Sequence, residues 1–267
     1  MSGRLTGAEN AAVGGVGGVL EVIALQPFNY AKNARQQGMP LTADPRKLYR
    51  GVLPNVLNMG SCTVWQFVAC GAIVKLMQGG EERDPTDVER MASGLGAGVS
   101  SAVLGGPLEL MMIQQQRKGG SLVSHLGKLA GPTMTRGIIP TAAREGVWAF
   151  GFLSLPPIMR AQLTTRWPAV FSSTDRARTG AALSAAGVAC LASQPFDTVK
   201  TCMQGDVERS RFRGMGHTFG TLYKESGLGA FYRGVEWRYA RMVIAIWILD
   251  KVREDLGRIM FPSKYED

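Results

Sequence analysis

The chain has 267 residues, a formal net charge of +9 and only two histidines. Charged residues make up 19% of it, less than the roughly 25% that soluble domains usually carry. The two histidines and four cysteines match no zinc spacing, so the composition argues against a metal site or a histidine-based catalytic centre. The excess of positive charge favours an anionic partner, which leaves nucleic acid, an acidic membrane face and an anionic solute open.

Apolar segments along the chain predict membrane-spanning helices of uneven strength. A spanning helix needs about 20 largely apolar residues, and residues 52–74 supply an uncharged run of that length. Weaker candidates are 91–108, 146–159 and 181–196, together with two segments that are interrupted by Glu21 or end against Arg241 and Asp250. Hydropathy alone therefore predicts two spans. Ionised side chains in a spanning helix are tolerated when they face a water-filled cavity or a partner, so six helices with inward polar positions fit the composition. A soluble protein with amphipathic helices is the alternative.

A repeated motif organises the chain into three similar segments. The copies read QPFNYAKNARQ from Gln26, GPLELMMIQQQ from Gly106 and QPFDTVKTCMQ from Gln194. Each copy is followed by an Arg-Gly step that opens a new apolar segment, at Gly51, Gly137 and Gly234. A proline inside a helix removes one backbone hydrogen bond and kinks the helix, and the residues two and five positions later share a helical face. The spacing predicts three kinked helices whose motif side chains point at one axis.

The repeat resembles the signature of the mitochondrial carrier family, Pro-x-acidic-x-x-basic in three copies, each followed by an aromatic-basic-Gly step. The third copy is the best match, with Pro195, Asp197, Lys200 and Gln204. The resemblance implies an all-α membrane protein with six transmembrane helices in three pseudo-threefold repeats, kinked odd-numbered helices and short matrix helices. It divides a single carrier domain, 1–267, into repeats at approximately 8–80, 85–163 and 174–260. It also implies a multi-pass protein of the inner mitochondrial membrane with both termini on the cytosolic side.

In the family, the acidic group of each repeat pairs with the basic group of the next and forms a gate on the matrix side. Carried over, the resemblance pairs Glu109 with Lys200, Asp197 with Lys32, and Asn29 with Met112. The third pair has lost both charges. Loss of one partner would leave a buried charge uncompensated, whereas loss of both can be nearly neutral. Solvated surface charges after a proline turn are the alternative reading of these residues.

The opposite, cytoplasmic gate is poorly represented. The family expects an aromatic-acidic-x-x-basic motif late in each even-numbered helix, and only Asp250 and Arg253 approximate it. The sequence therefore supports one gate and a fraction of the second. The resemblance also implies cardiolipin, bound at helix N-termini through unpaired N–H groups and the helix dipole, near Gly214 and Gly234.

Substrate contacts of the family fall about seven residues after the glycine that opens each even-numbered helix. The equivalent positions are Asn58, Arg144 with its neighbour Glu145, and Arg241. An Arg-Glu pair resembles members of the family that carry zwitterionic, amino-acid-like solutes. Arginine can form a bidentate hydrogen bond to the carboxylate of such a solute, and glutamate can form an ion pair with its ammonium group. The alternative is that Arg144 and Glu145 only satisfy each other.

Two functions follow from the resemblance. The first is transport of a small anionic or zwitterionic metabolite across the inner mitochondrial membrane by alternating access. The second is a carrier fold without transport, serving as an accessory subunit of a large respiratory or ATP synthase complex. The sequence has no Walker loop, dinucleotide fingerprint or nucleophile–base pair, which argues against an enzyme and a bound cofactor other than lipid. Its basic residues are scattered, which argues against a nucleic-acid partner.

Overall fold

The computed structural model describes residues 7–79, 83–151 and 155–262, and every regular element in these ranges is helical. The α-helices are α1 (Gly7–Gln37), α2 (Pro45–Leu48), α3 (Val52–Gln78), α4 (Asp87–Lys118), α5 (Leu122–Leu129), α6 (Ile138–Ala149), α7 (Leu155–Arg166), α8 (Thr174–Gly205), α9 (Met215–Ser226) and α10 (Val235–Met260). Short 3₁₀ turns, Gly131–Thr135 and Leu228–Tyr232, precede α6 and α10. The predicted all-α class is confirmed.

Neighbouring helices pack in a closed ring within the described part of the chain. Helix α3 packs between α1 and α4, α6 between α4 and α8, and α10 between α8 and α1. The three long helices, α1, α4 and α8, each contain one motif proline, namely Pro27, Pro107 and Pro195. The other helices of the ring, α3, α6 with α7, and α10, are called the return helices below. This alternation brings the three proline motifs to the inside of one bundle.

Helix α3 buries its polar side chains and exposes its apolar ones. Gln66 is 8% exposed and Asn58 is 5% exposed, whereas Val64 and Val68 are exposed to 66% and 65%. In water this arrangement would be unfavourable, but in a bilayer apolar side chains face lipid and polar ones face the bundle interior. Three described segments are long and apolar enough to cross a membrane, Ala12–Gln37, Pro45–Gln78 and Asp87–Lys118. Hydropathy had predicted two, and the extra one is the N-terminal helix, which meets the criterion despite Glu21.

The predicted fourth spanning helix is described in two parts. Helix α6 runs to Ala149 and is followed by π-helical residues at Phe150 and Gly151, and helix α7 runs from Leu155, with Pro156 and Pro157 directly after that residue. Residues 152–154 lie outside the described part of the chain.

A short helix follows each long helix, and its length grows along the chain. Helix α2 has four residues, α5 has eight and α9 has twelve. The segment after α1 has room for a single turn only, with Asp44 as its N-cap. Helix α9 packs Leu222 into an apolar cluster with Val199 and Phe231, which holds the third repeat together.

The Arg-Gly steps need glycine for two physical reasons. Gly51, Gly137 and Gly234 each precede a return helix with φ of 76°, 77° and 79°, in the left-handed region that side chains with a Cβ rarely adopt. A Cβ on Gly234 would also lie 2.9 Å from the carbonyl oxygen of Lys32, and one on Gly51 2.9 Å from Cγ of Met112. Each glycine therefore lets the start of a return helix approach the long helix of the following repeat.

The glutamine before the motif proline is bonded to the Arg-Gly step. Nε2 of Gln26 donates to the carbonyl of Arg50 at 3.0 Å, and Nε2 of Gln194 donates to that of Arg233 at 3.2 Å. The second copy has Gly106 at this position. There Nε2 of Gln204 donates to the carbonyl oxygens of Gly106 and Arg136, at 3.2 and 3.4 Å. A glutamine of the third repeat thus replaces the one that the second repeat lacks.

Candidate functional site

Six motif side chains, here called the motif ring, lie where the long helices approach one another: Asn29, Lys32, Glu109, Met112, Asp197 and Lys200. The structure brings together both charged pairs expected from the sequence. Nζ of Lys32 lies 2.9 Å from Oδ2 of Asp197, and Nζ of Lys200 lies 3.0 Å from Oε2 of Glu109. All four side chains are at most 10% exposed. These contacts join α8 to α1 and α4 to α8 through charges shielded from water.

The uncharged pair of the motif ring is also in contact. Nδ2 of Asn29 donates a hydrogen bond to Sδ of Met112 at 3.3 Å, joining α1 to α4. A thioether is a weak acceptor, so this sector holds the two helices with far less electrostatic energy than the other two. The ring keeps its threefold geometry although its chemistry is asymmetric.

A second polar layer lies one helical turn further along the long helices. Nε2 of Gln36 donates to Oδ2 of Asp197 at 2.8 Å, and Nδ2 of Asn33 donates to Oε1 of Gln116 at 2.7 Å. All four of these side chains are buried. Hydrogen bonds to an ionised carboxylate in a low-dielectric site are stronger than neutral ones, so Gln36 reinforces the Lys32–Asp197 pair.

Arg144 and Glu145 lie next to the motif ring, at the interface of α6 with α4 and α8. The Arg144 guanidinium donates from one Nη to Oε1 of Glu109 at 2.7 Å and also contacts Glu145. Its Nε lies 3.8 Å from Oδ1 of Asp197. Oε2 of Glu145 accepts a hydrogen bond from Nε2 of Gln66 at 3.1 Å. The predicted substrate pair is therefore in mutual contact, and Arg144 also reaches two carboxylates of the ring.

Arg241, the other predicted cationic contact, is paired with Glu21 of the neighbouring helix α1. One Nη of Arg241 lies 2.9 Å from Oε1 of Glu21, which links α10 to α1. Asn58 is buried on α3, where its Oδ1 accepts from the thiol of Cys62 at 3.3 Å. The residues predicted to contact a solute thus lie on three return helices and face the same interior.

Sequence reasoning missed three interior polar residues. Glu21 was visible only as a charge interrupting an apolar run, and Gln66 continues the buried stripe of Asn58 and Cys62 at intervals of four residues. Arg238 lies one turn from Arg241, and its guanidinium donates to Oγ of Ser193 at 2.7 Å and to Oε1 of Gln194 at 3.0 Å. It also stacks over the Trp148 ring. The four-residue period on α3 was the one signal that could have identified Gln66.

The buried side chain of Arg136 links the second repeat to the loop after α8 by hydrogen bonds. The Arg136 guanidinium donates to the carbonyl oxygens of Met203 at 3.1 Å and of Asp206 at 3.0 Å, and also to that of Phe212. Within the same loop, burial opposes ionisation of Asp206, but the backbone N–H groups of Phe212 and Arg211 and the Ser210 hydroxyl outweigh it. Its pKa is lowered to about 2. The loop is thus held by hydrogen bonds from Arg136 and to the ionised carboxylate of Asp206.

The remaining predicted site residues are less informative. The side chains of Asp250 and Arg253, expected to form the cytoplasmic gate, lie outside the described residues. Gly214 and Gly234, expected near cardiolipin, are the N-cap residues of α9 and α10, and neither helix start has a side-chain cap. Their backbone N–H groups are therefore not used by a capping side chain.

The fold and site define a class of protein, a helical membrane protein with threefold internal repetition and a buried ring of charges. The sequence model of the family described as "Mitochondrial carrier protein" matches residues 175–258, the third repeat. The mitochondrial glycine transporter of Saccharomyces cerevisiae is 26% identical, covering 83% of this chain and 81% of that protein. Mitochondrial succinate-fumarate transporter 1 of Arabidopsis thaliana is 26% identical, covering 87% and 86%. A solute carrier protein of Fusarium pseudograminearum is 32% identical, over 55% of this chain and 57% of that relative.

The chain matches the mitochondrial carrier family model in its third repeat and is similar to mitochondrial carriers over most of its length. It is accordingly a multi-pass protein of the inner mitochondrial membrane, and metabolite transport is the function that its relatives support. The family match falls on the repeat whose motif is complete, with Asp197 and Lys200 both charged. The second repeat, in which Met112 replaces the basic residue, lies outside that match.

Proposed function

We propose that the chain carries a small anionic or zwitterionic metabolite by alternating access, with Asn58, Arg144, Glu145 and Arg241 as the solute contacts. One observation carries the proposal. Arg144 and Arg241 are each held by a carboxylate, yet each has a buried Nε without a hydrogen bond among the described residues, that of Arg144 lying 3.8 Å from Oδ1 of Asp197. Buried donors are normally satisfied, and a carboxylate of the solute would satisfy them.

The charge of the interior supports an anionic or zwitterionic solute. Arg144 and Arg241 each face a carboxylate of the protein, whereas Arg238 has hydroxyl, amide and aromatic partners and no carboxylate partner within the described ranges. Cations therefore exceed carboxylates in the interior. A partly buried surplus cation favours a solute that brings negative charge, and Glu145 gives an ammonium group of a zwitterion a partner.

Lipid binding is part of the same proposal. The starts of α9 and α10, at Gly214 and Gly234, have no side-chain cap, and helix N-termini bind phosphate groups through such N–H groups. We propose that cardiolipin headgroups bind there. Added cardiolipin should raise the unfolding temperature of the detergent-solubilised protein, and an equal amount of zwitterionic lipid should not.

Uptake into vesicles containing the purified protein tests the transport proposal. Labelled neutral amino acid, dicarboxylate and cationic solutes are offered to the wild type, to Arg241→Gln and to Glu236→Gln, a surface control whose carboxylate is 56% exposed. We expect uptake of a carboxylate-bearing solute, its loss in Arg241→Gln and its retention in Glu236→Gln. Unchanged uptake by Arg241→Gln would contradict the site assignment.

A structural subunit without transport is the second candidate, and one observation favours it. The motif ring lacks its third charged pair, because Asn29 and Met112 are both uncharged. The native size after gentle detergent extraction tests this candidate. Stoichiometric migration with a large respiratory or synthase complex would favour the subunit, and migration as a small free species would favour the carrier.

A further inference from the structure

Gln66 on α3 is hydrogen-bonded to a helix that is not its neighbour in the ring. Its Nε2 donates to Oε2 of Glu145 on α6 at 3.1 Å and to Oγ of Ser101 on α4 at 3.0 Å. Helix α4 lies between α3 and α6, so Gln66 reaches Glu145 across α4. All three residues are at most 8% exposed. Both N–H groups of this amide are therefore used by acceptors inside the protein.

The carboxylate of Glu145 is divided between two partners. Its Oε1 contacts one Nη of Arg144, whereas its Oε2 accepts from Gln66. The same Nη of Arg144 also donates to Oε1 of Glu109 at 2.7 Å. The contact between Arg144 and Glu145 thus uses one atom of each side chain. A guanidinium and a carboxylate that meet without other partners frequently form two parallel hydrogen bonds instead.

Gln66 decides which of these two arrangements the pair adopts. Within the described residues it is the one hydrogen-bond donor to Oε2 of Glu145. Without it, this buried oxygen would gain most by accepting from a second N–H of Arg144, whose Nε makes no hydrogen bond among the described residues. The resulting bidentate pair would occupy both the anion-binding N–H groups and the carboxylate that a solute needs.

We propose that Gln66 is a positioning residue of the solute site, which keeps Arg144 and Glu145 from closing into a bidentate pair and leaves each of them available to the solute. The inference rests on the proposed function, because it concerns the same site. Gln66 touches the solute site through Glu145 and acts on the binding of both a carboxylate and an ammonium group.

Uptake into vesicles compares the wild type, Gln66→Met, Glu145→Gln and the double variant. Methionine has nearly the volume of glutamine and donates no hydrogen bond, so Gln66→Met removes the two bonds and keeps the packing. The labelled solutes are aspartate and succinate, which differ only in the ammonium group. We expect Gln66→Met to raise the KM for aspartate about tenfold, because the closed pair must first be broken.

The matched control is Gln115→Met. Gln115 is also 8% exposed, and its Nε2 donates to the carbonyl of Gly120 at 3.2 Å, outside the site. This substitution should leave the KM for both solutes unchanged. A rise in KM as large as that in Gln66→Met would show that the loss of any buried glutamine has the same effect, and would overturn the proposal.

The double variant separates positioning from packing. Glu145→Gln removes the carboxylate that closes onto Arg144, so its addition to Gln66→Met should return the KM for succinate to the wild-type value or below. The KM for aspartate should stay raised, because its ammonium group then has no carboxylate partner. A KM for succinate that stays as high as in Gln66→Met would overturn the proposal, since Gln66 would then act through packing alone.

A thermal cycle in detergent tests the same contacts without transport. Arg144→Gln leaves Glu145 bonded to Gln66 in the wild type, but leaves this buried carboxylate without either partner in Gln66→Met. The fall in unfolding temperature caused by Arg144→Gln should therefore be larger in the Gln66→Met background, by about 5 °C. Equal falls in the two backgrounds would overturn the proposal.

The thermal cycle also keeps the two proposals distinguishable. Unfolding is followed with a thiol-reactive fluorophore that reports the exposure of three buried cysteines, Cys62, Cys190 and Cys202. Stable wild-type protein whose vesicles take up neither solute would count against the transport proposal alone. The cycle would still decide whether Gln66 keeps Arg144 and Glu145 apart.

Discussion

The two charged sectors and the uncharged sector of the motif ring have similar geometry and different chemistry. Between α8 and its two neighbours, Lys32–Asp197 and Lys200–Glu109 are buried ion pairs at 2.9 and 3.0 Å. Between α1 and α4, Asn29 and Met112 meet at 3.3 Å without any charge. The comparison teaches that position in the ring is set by the helix repeat, whereas charge is lost in pairs.

The largest expected effect comes from breaking the charged sector. Asp197→Asn removes the carboxylate that Lys32, Lys200 and Gln36 share. Breaking a buried pair costs about 3–5 kcal/mol, so the unfolding temperature should fall by roughly 10 °C or more. Thermal unfolding in detergent measures it.

The matched control for that experiment is Glu236→Gln, because Glu236 and Arg35 form an exposed pair at 4.0 Å. Exposed pairs contribute at most about 1 kcal/mol, so this change should leave the unfolding temperature nearly unaltered. Equal effects of the two substitutions would show that the ring pairs behave like surface charges.

A smaller effect is expected where the return helix meets the ring. Gly234→Ala places a Cβ 2.9 Å from the carbonyl oxygen of Lys32 at a φ of 79°. The left-handed backbone costs about 1–2 kcal/mol, and the overlap adds to it. The unfolding temperature should fall by about 5 °C.

Gly216 gives the opposite expectation, because it lies inside α9 with nothing within 4 Å of an added Cβ. Alanine there should be neutral or stabilising by up to about 1 kcal/mol. A fall at Gly216 as large as that at Gly234 would contradict the close-approach argument.

Adding an ion pair to the uncharged sector tests the comparison between the charged and uncharged sectors of the motif ring. Asn29→Asp and Met112→Lys should each destabilise the protein alone, because each adds a single buried charge. Together they form a third pair, so the double variant should be more stable than additivity predicts by about 1–3 kcal/mol. Strict additivity in the thermal cycle would mean that the two positions do not meet.

The smallest effect lies outside the ring, in the loop after α8. Asp206 accepts from the backbone N–H groups of Ser210, Arg211 and Phe212, and Asp206→Asn should cost a few degrees at neutral pH, roughly 2–4 °C. Since its folded pKa is depressed to about 2, the stabilisation is present above its ordinary value and lost as the pH falls toward 2. The gap between wild type and variant should therefore shrink below about pH 4, and a gap independent of pH would contradict this account.

Much of the fold and of the ring was predictable because it repeats. The proline spacing indicated which side chains share a face, and the resemblance to the carrier family indicated which repeats pair. The contacts of Arg144 with Glu109 and Asp197 were not predictable, since they depend on how α6 crosses two other helices. Glu21 and Arg241 are 220 residues apart and belong to no repeated motif, so no pattern pointed to their pairing. The substitution of Gln204 for the absent glutamine at Gly106 likewise needed the three-dimensional packing.

Uptake by vesicles containing the Arg144→Lys variant, measured beside the wild type and Glu236→Gln, tests the central claim most directly. We expect the wild type to accumulate a carboxylate-bearing solute. Arg144→Lys keeps the positive charge beside Glu109 but cannot form the two parallel hydrogen bonds of a guanidinium to a carboxylate, so it should fold and yet take up far less solute. Uptake by Arg144→Lys equal to that of the wild type, or no uptake of any offered solute by stable wild-type protein, would contradict this account.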